Sequence, residues 1–253
     1  MLIKEAAYKA LDVVTLGWGI ERNIGGERIR FPARWSRYYQ ADYELETFRF
    51  FRENLKRGDT VLDIGGHIGL FAVVAGRIVG CDGKVFTFEP TPFTRSVLEQ
   101  VVRLNEGGGI VEVRGEAVSA TSGTATFFDT GDAISNANSL VKTARSKAEM
   151  PVKLVSVDEF AMERSLKIDC LKIDVEGAEL NVLIGGRETF LTQRPIARLG
   201  LHPQFILQNG QTLDDIWHVL SEYKLDVISE GRPVEKEWFC SQTELFDVSL
   251  FPA

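Results

Sequence analysis

Cysteine and histidine are scarce in this sequence, with three of each in 253 residues. Cys81, Cys170 and Cys240 are odd in number and far apart, so they build neither a disulfide framework nor a zinc site of clustered ligands. Reduced thiols in the core or on the surface are expected. Positive charge is also in short supply: 29 Lys and Arg stand against 36 Asp and Glu, a formal net charge of −7. That balance disfavours a general nucleic-acid binder and favours small molecules or neutral glycans as substrates. No stretch reaches the ~18–20 apolar residues of a membrane span. Repeats and low-complexity tracts are missing as well. The N-terminus carries Lys4, Glu5, Lys9 and Asp12 where the apolar part of a signal peptide would be uninterrupted, so a cytoplasmic location is expected. Residues 2–14 place Leu2, Ile3, Ala6, Ala7, Ala10, Leu11 and Val14 on one helical face. Docking of that face onto the domain is favoured over a membrane surface, because the polar face is short and weakly basic.

What is present is the composition of an ordinary globular protein, 44% hydrophobic and 26% charged, at a length that suits one large α/β domain with a short extension. The periodicity predicts a helix over 40–56 with Gly58 as its stop, then a buried strand in "TVLDIGG", a helix in "LFAVVAGRIV", a strand in "KVFTFEP" and a helix from Pro92 to Asn105. Such alternation forces parallel pairing through right-handed crossovers. Further strands are expected at Val111–Val118, Thr124–Phe128, Val152–Val157, Cys170–Asp174, Ile196–Leu201, Lys224–Ile228 and Leu245–Leu250, with helices near 178–191 and 212–223. The expected fold is a Rossmann-like, doubly wound, seven-stranded sheet over residues 43–253, with one or two short accessory strands. A short helical extension occupies 1–42. The polar, unpatterned stretch 131–150 reads as a lid, in which Asn136, Asn138 and Ser139 would hydrogen-bond the hydroxyls of a bound molecule.

Ligands of open α/β sheets bind outside the carboxyl ends of the strands. The first strand ends in "DIGGHIG", which delivers Asp63, Gly65, Gly66, His67 and Gly69 to a helix start. Glycines there let the backbone approach a ligand, and a helix start offers free N–H groups. The second strand ends in Glu89, where a carboxylate can accept both hydroxyls of a ribose. A pyrophosphate would disfavour a carboxylate inside the turn, whereas a sulfonium and an amino group favour one. Asp63 therefore points to S-adenosylmethionine over a dinucleotide. His67 reads as a ligand contact or as a solvated helix-start histidine.

The stretch "CLKIDVEGAELNVLIGG" at 170–186 alternates Cys170, Lys172 and Asp174 against Leu171 and Ile173, then brings Asp174, Glu176 and Glu179 around Gly177. Three crowded carboxylates repel one another unless they share a cation or a proton. The next strand ends in "GLHPQF" and adds His202 to the same edge.

Together, "DIGGHIGLF", "FEPTPFTRSVLEQVVRLN", "EAVSATSGTATF", "SVDEF" and "IDCLKIDVEGAELNVLIGG", followed by "RP" and "LH", resemble the FkbM family of S-adenosylmethionine-dependent methyltransferases over roughly residues 43–203. The resemblance implies a class I methyltransferase fold, O-methylation of sugar or polyketide hydroxyls, and cofactor roles for Asp63, Gly65 and Glu89. Two positions depart from the family pattern: Gly66-His67 stands where Ala-Asn is usual, and Gly200 where a Glu often precedes the histidine by two residues.

An alcohol is a poor nucleophile unless its proton leaves as the new bond forms. The expected proton acceptor is His202, assisted by Asp174 and Glu176, with Lys172 keeping Asp174 ionised. Its control over turnover would fall near histidine's unperturbed pKa of about 6.5 unless the carboxylates raise it. A divalent cation on Asp174 and Glu176 is the less favoured alternative. Two rival functions remain open at this level: a non-catalytic S-adenosylmethionine-binding module, and a nicotinamide-dependent oxidoreductase.

Overall fold

The computed structural model describes residues 17–132, 134–135 and 137–253, together with Tyr8, Leu11, Asp12, Val14 and Thr15. The apolar face expected over 2–14 falls mostly outside these residues. In chain order the strands and helices are β1 (Ile20–Ile24), β2 (Glu27–Phe31), α1 (Leu45–Asn54), β3 (Thr60–Ile64), α2 (Leu70–Val79), β4 (Lys84–Phe88) and α3 (Pro92–Leu104). There follow β5 (Val111–Arg114), β6 (Ala117–Val118), β7 (Gly123–Asp129), β8 (Ala148–Val155), α4 (Val157–Glu163), β9 (Cys170–Ile173), α5 (Glu179–Gly185) and β10 (Ile196–Leu201). The chain closes with α6 (Pro203–Gln208), α7 (Leu213–Glu222), β11 (Leu225–Ser229), β12 (Arg232–Pro233), α8 (Lys236–Cys240) and β13 (Phe246–Pro252).

The main sheet runs β12-β11-β13-β10-β9-β3-β4-β5. Its centre is parallel, and β13 enters antiparallel between β10 and β11. Seven of its strands match the expected sheet; the eighth, β12, is a two-residue edge. From β3 the chain winds outward through β4 and β5, then crosses back to β9 and β10, so the switch point lies between the carboxyl ends of β3 and β9. That is where an open α/β sheet leaves its crevice.

Three expectations are corrected. Val111–Val118 is not one strand: it breaks after Arg114, and β6 leaves the main sheet to join β7 and β8 in a separate three-stranded sheet. The strand expected at Val152–Val157 belongs to that small sheet and ends where Ser156 caps α4 by accepting from the N–H of Glu159. The extension over 1–42, expected to be helical, carries the β1–β2 hairpin and a short 3₁₀ turn at Ala33–Trp35.

Strand alternation divides the core into two layers. Leu62, Ile64, Phe86, Phe88, Leu171 and Ile173 face α5, α7 and their neighbours; Val61, Val85 and Cys170 face α1, α2 and α3. Phe71 of α2 ties α1 to this second layer, its ring 5.2 Å from Phe48 and 6.0 Å from Phe51. Each such ring removed from water contributes about 1.5–3 kcal/mol. Toward the carboxyl ends this second face changes character. Thr87, Asp63, Lys172, Arg198 and Ser249 pair in register across five strands, and all are buried. A polar row thus crosses the sheet at the floor of the crevice. All three cysteines are free thiols, Cys170 in the core and Cys81 on the surface. No helix among the described residues is long and apolar enough to cross a membrane.

Candidate active site

Above the polar row opens a cavity of about 1080 Å³, its mouth included, lined by residues from widely separated parts of the chain. The turn after β3 forms one wall. The N–H groups of Gly65 and Gly66 both donate to the carbonyl of Phe88, at 3.1 and 2.9 Å, which straps this turn to the end of β4. Gly65 adopts φ +88°, and a Cβ there would run into the carbonyl oxygen of Asp174. Gly65→Ala is therefore expected to cost on the order of 2–4 kcal/mol, from backbone strain plus the clash. Chemical denaturation measures it, and a loss below 1 kcal/mol, the ordinary cost of a benign change, would mean that the turn relaxes freely. A Cβ on Gly66 would strike the hydroxyl of Thr87, the group that donates to Asp63 Oδ2 at 2.9 Å. Gly69 begins α2 in the left-handed region.

Asp63 is buried, and its Oδ1 has no partner. Burial raises its pKa, opposed by the charge of Lys172 and the Thr87 hydrogen bond. Glu89 is buried too: Oε1 accepts from the N–H of Thr91 at 2.8 Å and Oε2 from that of His67 at 3.1 Å. Burial pushes its pKa up to about 7 despite those bonds. Each oxygen keeps a second lone pair for a ligand. His67, at φ +48°, meets the hydroxyl of Tyr39 with Nδ1 at 2.9 Å. Its imidazole is held neutral, burial lowering its pKa to about 4.

The acidic edge, at the end of the neighbouring strand β9, forms the adjoining wall. Lys172 Nζ donates to Asp174 Oδ2 at 3.0 Å and lies 5.0 Å from the centre of the Phe71 ring. Burial works against that charge, but Asp174, Glu44 and Asp63 together raise its pKa. Asp174 is held below the usual carboxylate range: burial opposes this, and Lys172 and His202 outweigh it. His202 sits among three carboxylates. Its Nδ1 meets Glu179 Oε1 at 2.8 Å, and its Nε2 lies 3.4 Å from Glu176 Oε2 and 3.7 Å from Asp174 Oδ1. Burial alone would neutralise the ring, yet the bonds to Glu176 and Glu179 prevail and its pKa rises to about 11. At neutral pH His202 is an imidazolium. The expectation of a neutral base there gives way, and the sites that can take a proton are its carboxylate neighbours. Burial raises the pKa of Glu176 against the pull of His202. One ligand atom each from Asp174, Glu176 and His202 lie within 4.8 Å of one another, so the cation alternative gains a third ligand.

The loop residues divide. Asn136 lies outside the described residues. Asn138 lines the cavity; its Oδ1 accepts from the backbone N–H of Thr130 and its Nδ2 donates to the hydroxyl of Thr91. Ser139 is buried, and its hydroxyl is spent on the carbonyl of Glu176 at 2.7 Å. It anchors the loop to the acidic turn.

Among the wall residues that sequence reasoning missed are Tyr39, Tyr43, Glu44 and Asp247. Tyr39, Tyr43 and Glu44 come from the segment ahead of α1, which was expected only as extension and helix. Asp247 comes from β13, directly opposite Gly200. Its Oδ1 lies 3.0 Å from where a Cβ on residue 200 would stand, and Oδ2 is 3.4 Å from Arg198 Nη2. The carboxylate absent from β10 is thus supplied by the neighbouring strand. Only the antiparallel register reveals this.

The comparisons with known proteins follow the same lines. The model of the methyltransferase FkbM domain matches residues 63–225. No curated protein matches the chain by sequence. Among solved structures, a SAM-dependent O-methyltransferase from Thermotoga maritima is similar at a TM-score of 0.51 and 16% identity, covering 93% of this chain and 78% of that one. Methyltransferase FkbM from Methylobacillus flagellatus KT aligns at a TM-score of 0.49 and 12% identity, covering 82% of this chain and 51% of that one. At such identities structural likeness speaks for the fold alone. The family match spans well over half of the chain and includes both Asp63 and His202, which sets the oxidoreductase reading aside. The chain belongs to the methyltransferase FkbM domain family, S-adenosylmethionine-dependent methyltransferases of class I fold.

Proposed function

We propose that the protein transfers a methyl group from S-adenosylmethionine to a hydroxyl of a sugar, glycan or natural product. The observation that carries this reading is the carboxylate of Glu176, 3.4 Å from His202 Nε2 and on the same cavity as Asp174 and the glycine turn. The residues present fit the cofactor. Asp63 keeps a buried carboxylate oxygen without a partner, suited to an ammonium group. Glu89 retains lone pairs for ribose hydroxyls. When bound, S-adenosylmethionine supplies an electrophilic methyl group on a sulfonium.

The chain's own residues do the rest. Glu176 would accept the proton of the acceptor hydroxyl as the hydroxyl oxygen takes the methyl carbon and the methyl–sulfur bond breaks, its electron pair staying on sulfur. His202, pinned by Glu179, holds Glu176 and Asp174 in place and balances their charge. The acids Glu44, Glu116 and Asp247 on the walls favour a neutral, polyhydroxylated or cationic acceptor and repel a phosphodiester. Asn138 and Ser139 border the acceptor side, tethered at Thr91 and at Glu176.

Calorimetry with S-adenosylmethionine and with NAD, followed by labelled methyl transfer over a panel of sugars and hydroxylated natural products, tests the reading. Binding of S-adenosylmethionine with O-methyl product is expected, and Asn138→Ala should raise the acceptor's KM while leaving cofactor affinity nearly intact. Binding without turnover on any acceptor would favour a non-catalytic module. Tight NAD binding with no S-adenosylmethionine binding would end the reading.

A further inference from the structure

Five buried side-chain atoms among the described residues lack a hydrogen-bond partner, and two of them flank the same glycine turn: Asp63 Oδ1, an acceptor, and His67 Nε2. The state of His67 follows from its partner. The hydroxyl of Tyr39 is buried and meets Nδ1 at 2.9 Å. If Nδ1 carried the proton, the tyrosine O–H would be stranded as a buried donor without an acceptor, a costly arrangement. Tyr39 therefore donates to Nδ1, and the proton of the neutral ring sits on Nε2. That makes His67 Nε2 an unsatisfied donor.

An orphaned acceptor and an orphaned donor at one turn are complementary to a zwitterion. The donor's side is also the electropositive corner of an acidic cavity: α2 starts three residues on, at Leu70, with its positive end toward the turn. Lys172 lines the same cavity. We propose that His67, its tautomer fixed by the Tyr39 hydroxyl, donates from Nε2 to the carboxylate of the amino-acid half of S-adenosylmethionine, with Asp63 taking its ammonium group. This rests on the cofactor reading above and adds a part to it. Tyr39 lies ahead of the matched family domain, so the segment between β2 and α1 completes the cofactor site. Its ring is fixed for that task, packed 6.1 Å from Phe31 and 4.6 Å from Tyr43. Tyr38, 38% exposed, packs its ring 5.0 Å from the imidazole.

The test needs no acceptor. Calorimetry on the full chain compares S-adenosylhomocysteine with 5′-methylthioadenosine, which lacks the amino-acid half. His67→Ala is expected to weaken S-adenosylhomocysteine by about 10–100-fold, the scale of a hydrogen bond to a charged group, and 5′-methylthioadenosine by less than about twofold. Tyr39→Phe should weaken S-adenosylhomocysteine by roughly 3–10-fold, and add little on top of His67→Ala. His67→Asn keeps a neutral donor and tolerates the left-handed backbone, so it is expected to retain most of the affinity, which guards against a loss through misfolding. Equal losses for both ligands, or unchanged S-adenosylhomocysteine binding in His67→Ala, would overturn the His67 contact while leaving the cofactor reading intact. A wild-type chain that binds neither ligand would overturn both.

Discussion

Glu176→Gln is expected to lower methyl transfer on the order of 10²–10⁴-fold while the protein still binds S-adenosylmethionine. The substitution keeps the shape of the side chain and removes its capacity to take a proton. Glu176 is singled out over its neighbours by charge. Asp174 is committed to Lys172 at 3.0 Å and is held below the usual carboxylate range, burial notwithstanding, by Lys172 and His202. His202 already carries its proton, its pKa raised to about 11. Glu176 combines a position on the cavity with a pKa raised by burial, which makes it the stronger base of the two carboxylates. The pH profile separates the mechanisms. With Glu176 as acceptor, turnover falls on the acid side as the carboxylate protonates and does not keep climbing on the alkaline side. A rate that climbed roughly tenfold per unit above pH 7 would return the role to neutral His202. Turnover is expected to survive excess chelator; loss of activity restored by magnesium or manganese would assign Asp174, Glu176 and His202 to a cation instead.

The second large effect is on stability. Glu179 is 0% exposed, and its Oε1 holds both His202 Nδ1 and the N–H of Gly177. Removing His202 leaves that carboxylate buried with no countercharge. His202→Ala should therefore cost about 3–5 kcal/mol, the price of a broken buried pair, and Glu179→Gln in the same chain should return part of it. The wild-type protein carries a matching pH signature. His202 has a folded pKa above its unfolded value, so its contribution is fully present below about pH 6.5 and is lost as pH rises toward about 11. Denaturant midpoints at pH 6, 8 and 10 are expected to fall, with a slope of up to about 1.4 kcal/mol per unit for one proton. That slope should be absent from His202→Ala. Identical midpoints for the two proteins at every pH would show the ring to be a spectator of folding.

The parts of the site that were legible in the sequence are those built by local rules. Asp63, Gly65, Glu89 and Asp174 sit where alternation ends a strand, and a strand end in a parallel sheet faces the crevice whatever the rest of the chain does. His202 was legible for the same reason, but its charge was not, because that depends on how closely Glu176 and Glu179 approach its two nitrogens. Asp247 could not be read at all: its place opposite Gly200 is set by the register of an antiparallel strand 47 positions later. The break after Arg114 escaped notice because Val111, Val113, Ala117 and Val118 read as one apolar run across Gly115 and Glu116. Tyr39 and Tyr43 were hidden by a segment whose structure is dictated by its contacts with Phe31 and His67 and by no periodicity of its own.

The polar row from Thr87 through Asp63, Lys172 and Arg198 to Ser249 also acts as an alignment key. The opposite face of the three central strands is apolar throughout: Leu62 and Ile64, Phe86 and Phe88, Leu171 and Ile173. A slip of one residue in β3 or β9 would turn Asp63 or Lys172 onto that face, away from every partner it has. Misaligned sheets of this chain are thus excluded by electrostatics before packing is consulted. Replacing the row with valines would lift the penalty on wrong registers along with the chemistry, so such a chain could gain stability and lose the one alignment in which its strand ends converge.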